Sequence, residues 1–131
     1  MPAGLAVYIK MDIMAMTNQH DKPLVWLGDS RNCVRSFPVA ARQRSGFELR
    51  EVQKGKDPSD WKPMPRVGLG VRELRIHTGE EFRVMYVAKF SEAVYVLHAF
   101  EKRTEQTAKH DIEVAKTRFR ALVAERRRER R

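Results

Sequence analysis

At 131 residues the chain has room for one domain with one modest core, and its 42% hydrophobic content is ordinary for a soluble globular protein. Cys33 is the single cysteine, which excludes an intrachain disulfide and suits a reducing, cytoplasmic setting. No apolar run is long enough to span a bilayer. The stretch from Leu5 to Met16, interrupted by Lys10 and Asp12 and without a basic leader, does not read as a signal peptide. The net charge of +9 is unevenly placed: residues 116–131 carry eight basic and two acidic residues, so +6 sits in that segment and only +3 in the rest. Such an arginine run can bind RNA through counterion release, and it equally suits a solvated helix end where cations meet the macrodipole.

Residues 1–21 read as an extension ahead of the domain, with Met16 a possible alternative start and pairing with a partner a second possibility. After Pro23 a short apolar strand covers Leu24 to Leu27. Asp29 can N-cap a short helix through Phe37, and Pro38 can open a second helix that runs to about Lys54 and stops at Gly55. Ala41, Ser45, Leu49 and Val52 form its core stripe at helical spacing. Gly55 to Gly70 reads as a loop, in which Trp61 is an anchor rather than a base-stacking surface. The Gly68-Leu69-Gly70 run lacks the third glycine and following helix of a nucleotide-binding turn.

A three-stranded meander follows. Leu74 and Ile76 alternate with Glu73, Arg75 and His77; Phe82, Val84 and Tyr86 alternate with Glu81 and Arg83. Such alternation marks an antiparallel sheet with one face in the core. The shared parity demands a loop with an odd residue count, met by His77-Thr78-Gly79 with Gly79 left-handed. Arg75 and Arg83 are then expected together on the exposed face, beside Glu73 and Glu81. Ala93 to Phe100 is apolar on both faces and suits a central strand. Thr107 is expected to cap a last helix with the stripe Ile112, Ala115, Phe119 and Leu122; the domain ends near Ala124, with 125–131 a basic tail. The fold class is α+β: a mainly antiparallel sheet of an N-terminal strand plus the meander, packed on two N-terminal helices, with a C-terminal helix.

Four segments in this order carry a resemblance: KPLVWLGDSR from Lys22, KPM at Lys62 followed by GVRELRI from Gly70, FRVMY from Phe82, and LHAFEKRTEQT from Leu97 running into DIEVA from Asp111. Together they resemble the RelE/ParE toxin superfamily, in its phage-derived, HigB-like branch, over roughly residues 22 to 123. The resemblance implies a small toxin of a type II toxin-antitoxin system that cleaves mRNA on the ribosome, neutralised by a helix-turn-helix antitoxin. It implies a reaction without metal or cofactor: the ribose 2′-hydroxyl attacks the adjacent phosphorus and leaves a cyclic phosphate and a 5′-hydroxyl. That chemistry needs a base, cations around the phosphorane and an acid for the leaving oxygen.

On that resemblance Arg75 and Arg83 match basic positions that clamp the scissile phosphate, and Lys102 and Arg103 match a basic pair that stabilises or protonates the leaving group. Arg75 replaces a lysine thought to act as base, and a guanidinium keeps its proton at neutral pH. His77 is the leading replacement, with Lys102 and His98 behind it. The alternative for the two arginines is a structural ladder with Glu73 and Glu81. Two other functions fit the same resemblance or charge: a ParE-like gyrase poison, and a non-catalytic nucleic-acid-binding phage protein.

Overall fold

The computed structural model describes residues 21–130 and the backbone of residues 8–11. Eight residues, Val71–Thr78 (β4), form a hairpin with Glu80–Val87 (β5), and Val94–Lys102 (β6) completes the meander. Leu24–Leu27 (β2) lies parallel to β6, Tyr8–Met11 (β1) adds an antiparallel edge to β2, and Trp61–Pro63 (β3) adds one to β4. The six-stranded sheet has the order β1-β2-β6-β5-β4-β3 and only the β2–β6 pair is parallel. The fold is α+β, as the sequence reading expected. The extension ahead of the domain supplies the edge strand β1; the possible start at Met16 lies outside the described residues.

The hairpin keeps the expected parity with its tip moved by one residue. Ile76 pairs with Phe82, His77 with Glu81 and Thr78 with Glu80, so Gly79 alone lies between the strands, at φ +100°. The apolar residues Leu74, Ile76, Phe82, Val84 and Tyr86 face the two N-terminal helices, Ser30–Arg35 (α1) and Val39–Gln53 (α2), which contribute Val34, Ala41, Leu49 and Val52. Half-buried Cys33 packs against the same cluster.

The opposite face is not bare. Val71, Met85, Val87 and Leu97 pack beneath the long C-terminal helix Lys109–Glu129 (α3) through Ile112, Ala115, Phe119 and Leu122. Only the hairpin end of that face extends past the helix. The helix continues through Glu129, so the arginine run expected as a tail from residue 125 is helical. No helix among the described residues is long and apolar enough to cross a membrane.

Three local expectations change. Asp29 sits at the start of α1 but makes no side-chain cap; its carboxylate accepts from Arg118 at 2.7 Å and so ties α1 to α3. Thr107 is not the cap of α3, which Ala108 opens; its hydroxyl donates instead to buried Glu73 at 2.9 Å. The segment Trp61–Pro63, expected within a loop, is an edge strand too short to show alternation. The Trp61 ring is covered by the Arg72 guanidinium at 3.9 Å.

Candidate active site

The register of four strands sets a small grid at the hairpin end of the α3 face. In one row Arg75 opposes Arg83, which opposes Phe100; in the next His77 opposes Glu81, which opposes Lys102. Toward α3 a third row runs Lys62, Glu73, Met85 and His98. Side chains of cross-strand partners share a face, so Arg75, Arg83, His77 and Lys102 emerge together.

Lys102 reaches this face through a bulge in β6. Val94 and Val96 face α1 and α2 while Tyr95 and Leu97 face α3, and simple alternation would carry Glu101 and Arg103 to the α3 side. Tyr86 pairs with Val96 but Met85 with His98, so one extra residue is accommodated at Leu97. Alternation resumes from His98 in the other phase and brings Phe100 and Lys102 to the arginines. Arg103 follows the strand, is highly exposed and donates to Glu101 at 3.0 Å; Glu101 pairs with Phe82 and belongs to the helix-side phase. The expected basic pair is thus split between the two faces.

The two arginines differ in burial. The Arg75 side chain is 33% exposed and forms a long ion pair with Asp60 at 4.0 Å. Arg83 is 3% exposed, which corrects the expectation of a fully exposed pair. It lies between Arg75 and Phe100 across the sheet. Along its own face it is bracketed by Glu73, with Nε at 3.6 Å, and Glu81, to which Nη1 donates at 3.0 Å. Its Nη1 also donates to the Phe82 carbonyl at 2.9 Å. The ladder with acids therefore holds for Arg83, whereas Arg75 keeps an open side.

Glu73 is fully buried, held by Thr107 and lying 3.8 Å from Lys62 Nζ. A buried carboxylate requires such partners, and here they come from three different segments. His77 donates from Nε2 to Asp60 at 2.6 Å and from Nδ1 to Glu81 at 2.7–2.8 Å. With a carboxylate at each nitrogen the ring carries both protons, and the bonds to Asp60 and then Glu81 raise its pKa. Both carboxylates favour the protonated ring, an arrangement that suits an acid better than the base expected from sequence. Burial, then the Arg83 cation, lowers the pKa of Lys102, with Lys62 and Arg75 adding to the effect against the opposing pull of Glu73. His98, the remaining candidate base, is buried against Phe100 and bonded to Asp111 at 2.7 Å, off the open part of the grid.

Asp60 and Phe100 belong to the site although the sequence reading did not single them out. Asp60 follows from the β3 edge strand: Arg75 N–H donates to its carbonyl at 2.9 Å, which fixes its carboxylate beside His77. Phe100 follows from the bulge. Among the described residues no cluster of His, Cys, Asp and Glu could hold a metal ion.

No curated protein and no solved structure matches the chain. One family model does, described as "Phage derived protein Gp49-like", and it covers residues 32–120. That span runs from α1 through the grid to the middle of α3, more than half of the chain. This protein therefore belongs to the phage-derived Gp49-like family.

Proposed function

We propose that this Gp49-like protein is a RelE-like toxin that cleaves mRNA on the ribosome by 2′-hydroxyl attack, and that its partners are the ribosome and a helix-turn-helix antitoxin. The observation carrying the proposal is the grouping of Arg75, Arg83, Lys102 and the carboxylate-bonded His77 at one end of the sheet. In this reading the neutral amine of Lys102 takes the 2′-hydroxyl proton and the 2′-oxygen attacks phosphorus. The bond to the 5′-oxygen breaks, the 2′,3′-cyclic phosphate forms, and His77 returns a proton to the departing 5′-oxygen. Arg75 contacts the phosphorane oxygens. Arg83 acts from beneath, as fixed positive charge that favours the neutral amine of Lys102 and orients Glu81, which in turn holds His77.

The test is induced expression followed by mapping of mRNA 5′ ends. Cleavage within translated codons is expected, and is expected to vanish in Lys102→Met and Arg75→Ala proteins that keep the wild-type circular dichroism spectrum. Cleavage undiminished in both variants would remove the site. A non-enzymatic gyrase poison is favoured by one fact: carboxylates already hold both Arg83 and His77. Chromosomal double-strand breaks without mRNA cuts would establish that reading instead.

A further inference from the structure

The other face of the sheet holds a second concentration of cations. A cavity of about 310 Å³ opens where the start of β4, the end of β5 and the C-terminal end of α2 meet. Lys22, Lys56, Arg72 and Lys89 line it, and Asp57 is the one acid among the described lining residues. Arg72 pairs with Tyr86, and Val52 also lines the cavity; both neighbours belong to the cluster under α1 and α2, so the cavity lies away from the arginine grid.

Cations near a helix C-terminus often serve only to offset its unsatisfied carbonyls. Here the backbone does that work. The carbonyls of Glu51 and Val52 accept from the N–H groups of Lys56 and Gly55, that of Arg50 from Lys54, and that of Gln53 from Lys22. The lysine side chains are not needed for that role. Lys22 Nζ donates to the Ala88 carbonyl, which uses one of its three donors. Arg72 commits Nη1 to Asp57 at 2.8 Å and stacks on Trp61, which fixes its plane, and the Tyr86 hydroxyl also interacts with it. Lys56 lies 3.7 Å from Glu51 and is otherwise exposed.

Gly70 shapes the rim. It has φ +86°, a conformation that favours glycine, and the Lys89 chain lies against it, with Cδ 2.6 Å from where a Cβ would stand. Lys22, Lys56 and Arg72 face one concave space whose acid, Asp57, is already paired, while the Lys89 ammonium lies over the rings of Phe90 and Phe119.

We infer that this cavity is an anion site for a phosphate group, supplied either by free phosphate or by the backbone of an RNA strand. The experiment uses the full chain, 15N-labelled, titrated separately with inorganic phosphate and with a short single-stranded 2′-O-methyl RNA. Amide shifts at Gly55, Gly70 and Ala88 are expected, with affinity roughly tenfold weaker in Lys56→Glu and in Lys22→Ala, as for loss of one charged hydrogen bond. Shifts with both probes identify a self-sufficient phosphate site; shifts with RNA alone identify a strand contact. The absence of shifts with either, or unchanged affinity in both variants, overturns the inference. Both readouts are binding to the isolated protein, so their outcome is independent of the fate of the proposed cleavage.

Discussion

Leu97 and His98 are neighbours in the chain and both face α3, and this single irregularity decides which member of the Lys102–Arg103 pair joins the arginines. A strand in simple alternation would present Arg103 to Arg75 and Arg83 and turn Lys102 to the helices. The bulge reverses that choice. It places an amine, which can lose a proton, where a guanidinium could not.

Lys102→Arg is accordingly expected to reduce RNA cleavage by about 100-fold or more, the usual scale for losing a positioned acid or base, while leaving RNA binding intact. Arg103→Ala is expected to change cleavage less than threefold on the same scale, because its side chain is paired with Glu101. The pH–rate profile of the wild type should be bell-shaped, because the reaction needs Lys102 unprotonated and His77 protonated. Equal losses in the two variants would refute the assignment made through the bulge.

Arg83 and Glu73 make a prediction about stability. Their side chains are 3% and 0% exposed and their charged atoms are 3.6 Å apart. Arg83→Ala would leave Glu73 buried with Thr107 and the more distant Lys62, at a cost of about 3 kcal/mol. Adding Glu73→Gln should recover much of that loss, since the stranded charge disappears. Urea unfolding of the single and double variants measures both. A loss under about 1 kcal/mol in Arg83→Ala would mean that solvent reaches Glu73 after all. For the same reason toxicity lost in Arg83→Ala is informative only alongside its folded fraction.

The hairpin was legible because Leu74, Ile76, Phe82 and Val84 alternate cleanly with charged residues, and period two fixes which side chains share a face. The burial of Arg83 was not. It depends on Phe100 arriving beside it through the β6 bulge and on Glu73 being sealed by Thr107 from the start of α3. Neither contact leaves a local pattern. Asp60 was hidden for a related reason: β3 is three residues long, contains Pro63, and shows no alternation that would mark it as a strand. The resemblance located the basic positions in the chain, whereas tertiary contacts decide which of them are open.

His77 links the grid to pH. Its pKa is raised by Asp60 and Glu81, so the protonated ring contributes stability that is complete below its ordinary value of 6.5 and disappears as pH rises through the higher folded value. The side chain is nearly half exposed, so solvent screening limits the effect to about 1 kcal/mol or less. Wild type and His77→Gln should therefore differ most in melting temperature at pH 6 and converge in the alkaline range. A gap that widens with pH would contradict a doubly protonated ring.

The C-terminal helix bears on any attempt to test the arginine run by truncation. Glu125 is buried and accepts from Arg128 at 2.8 Å, and Arg126 grips Glu92 at 2.6 and 3.2 Å while lying 3.7 Å over Phe90. Deleting residues 125–131 removes these packing contacts together with the charge, so a lost function would not isolate the tail. Arg127→Gln/Arg130→Gln removes two exposed charges and should leave stability within about 0.5 kcal/mol. Arg126→Ala should instead cost about 1 kcal/mol after screening, since Glu92 is two-fifths exposed. The guanidinium holds the Glu92 pKa down from 4.5 to about 2, so this contribution is present above pH 4.5 and lost as pH falls toward 2. Chemical denaturation of wild type and Arg126→Ala across that range should give curves that approach one another at acid pH. A constant difference would assign the effect of Arg126 to its stacking on Phe90 and not to the ion pair.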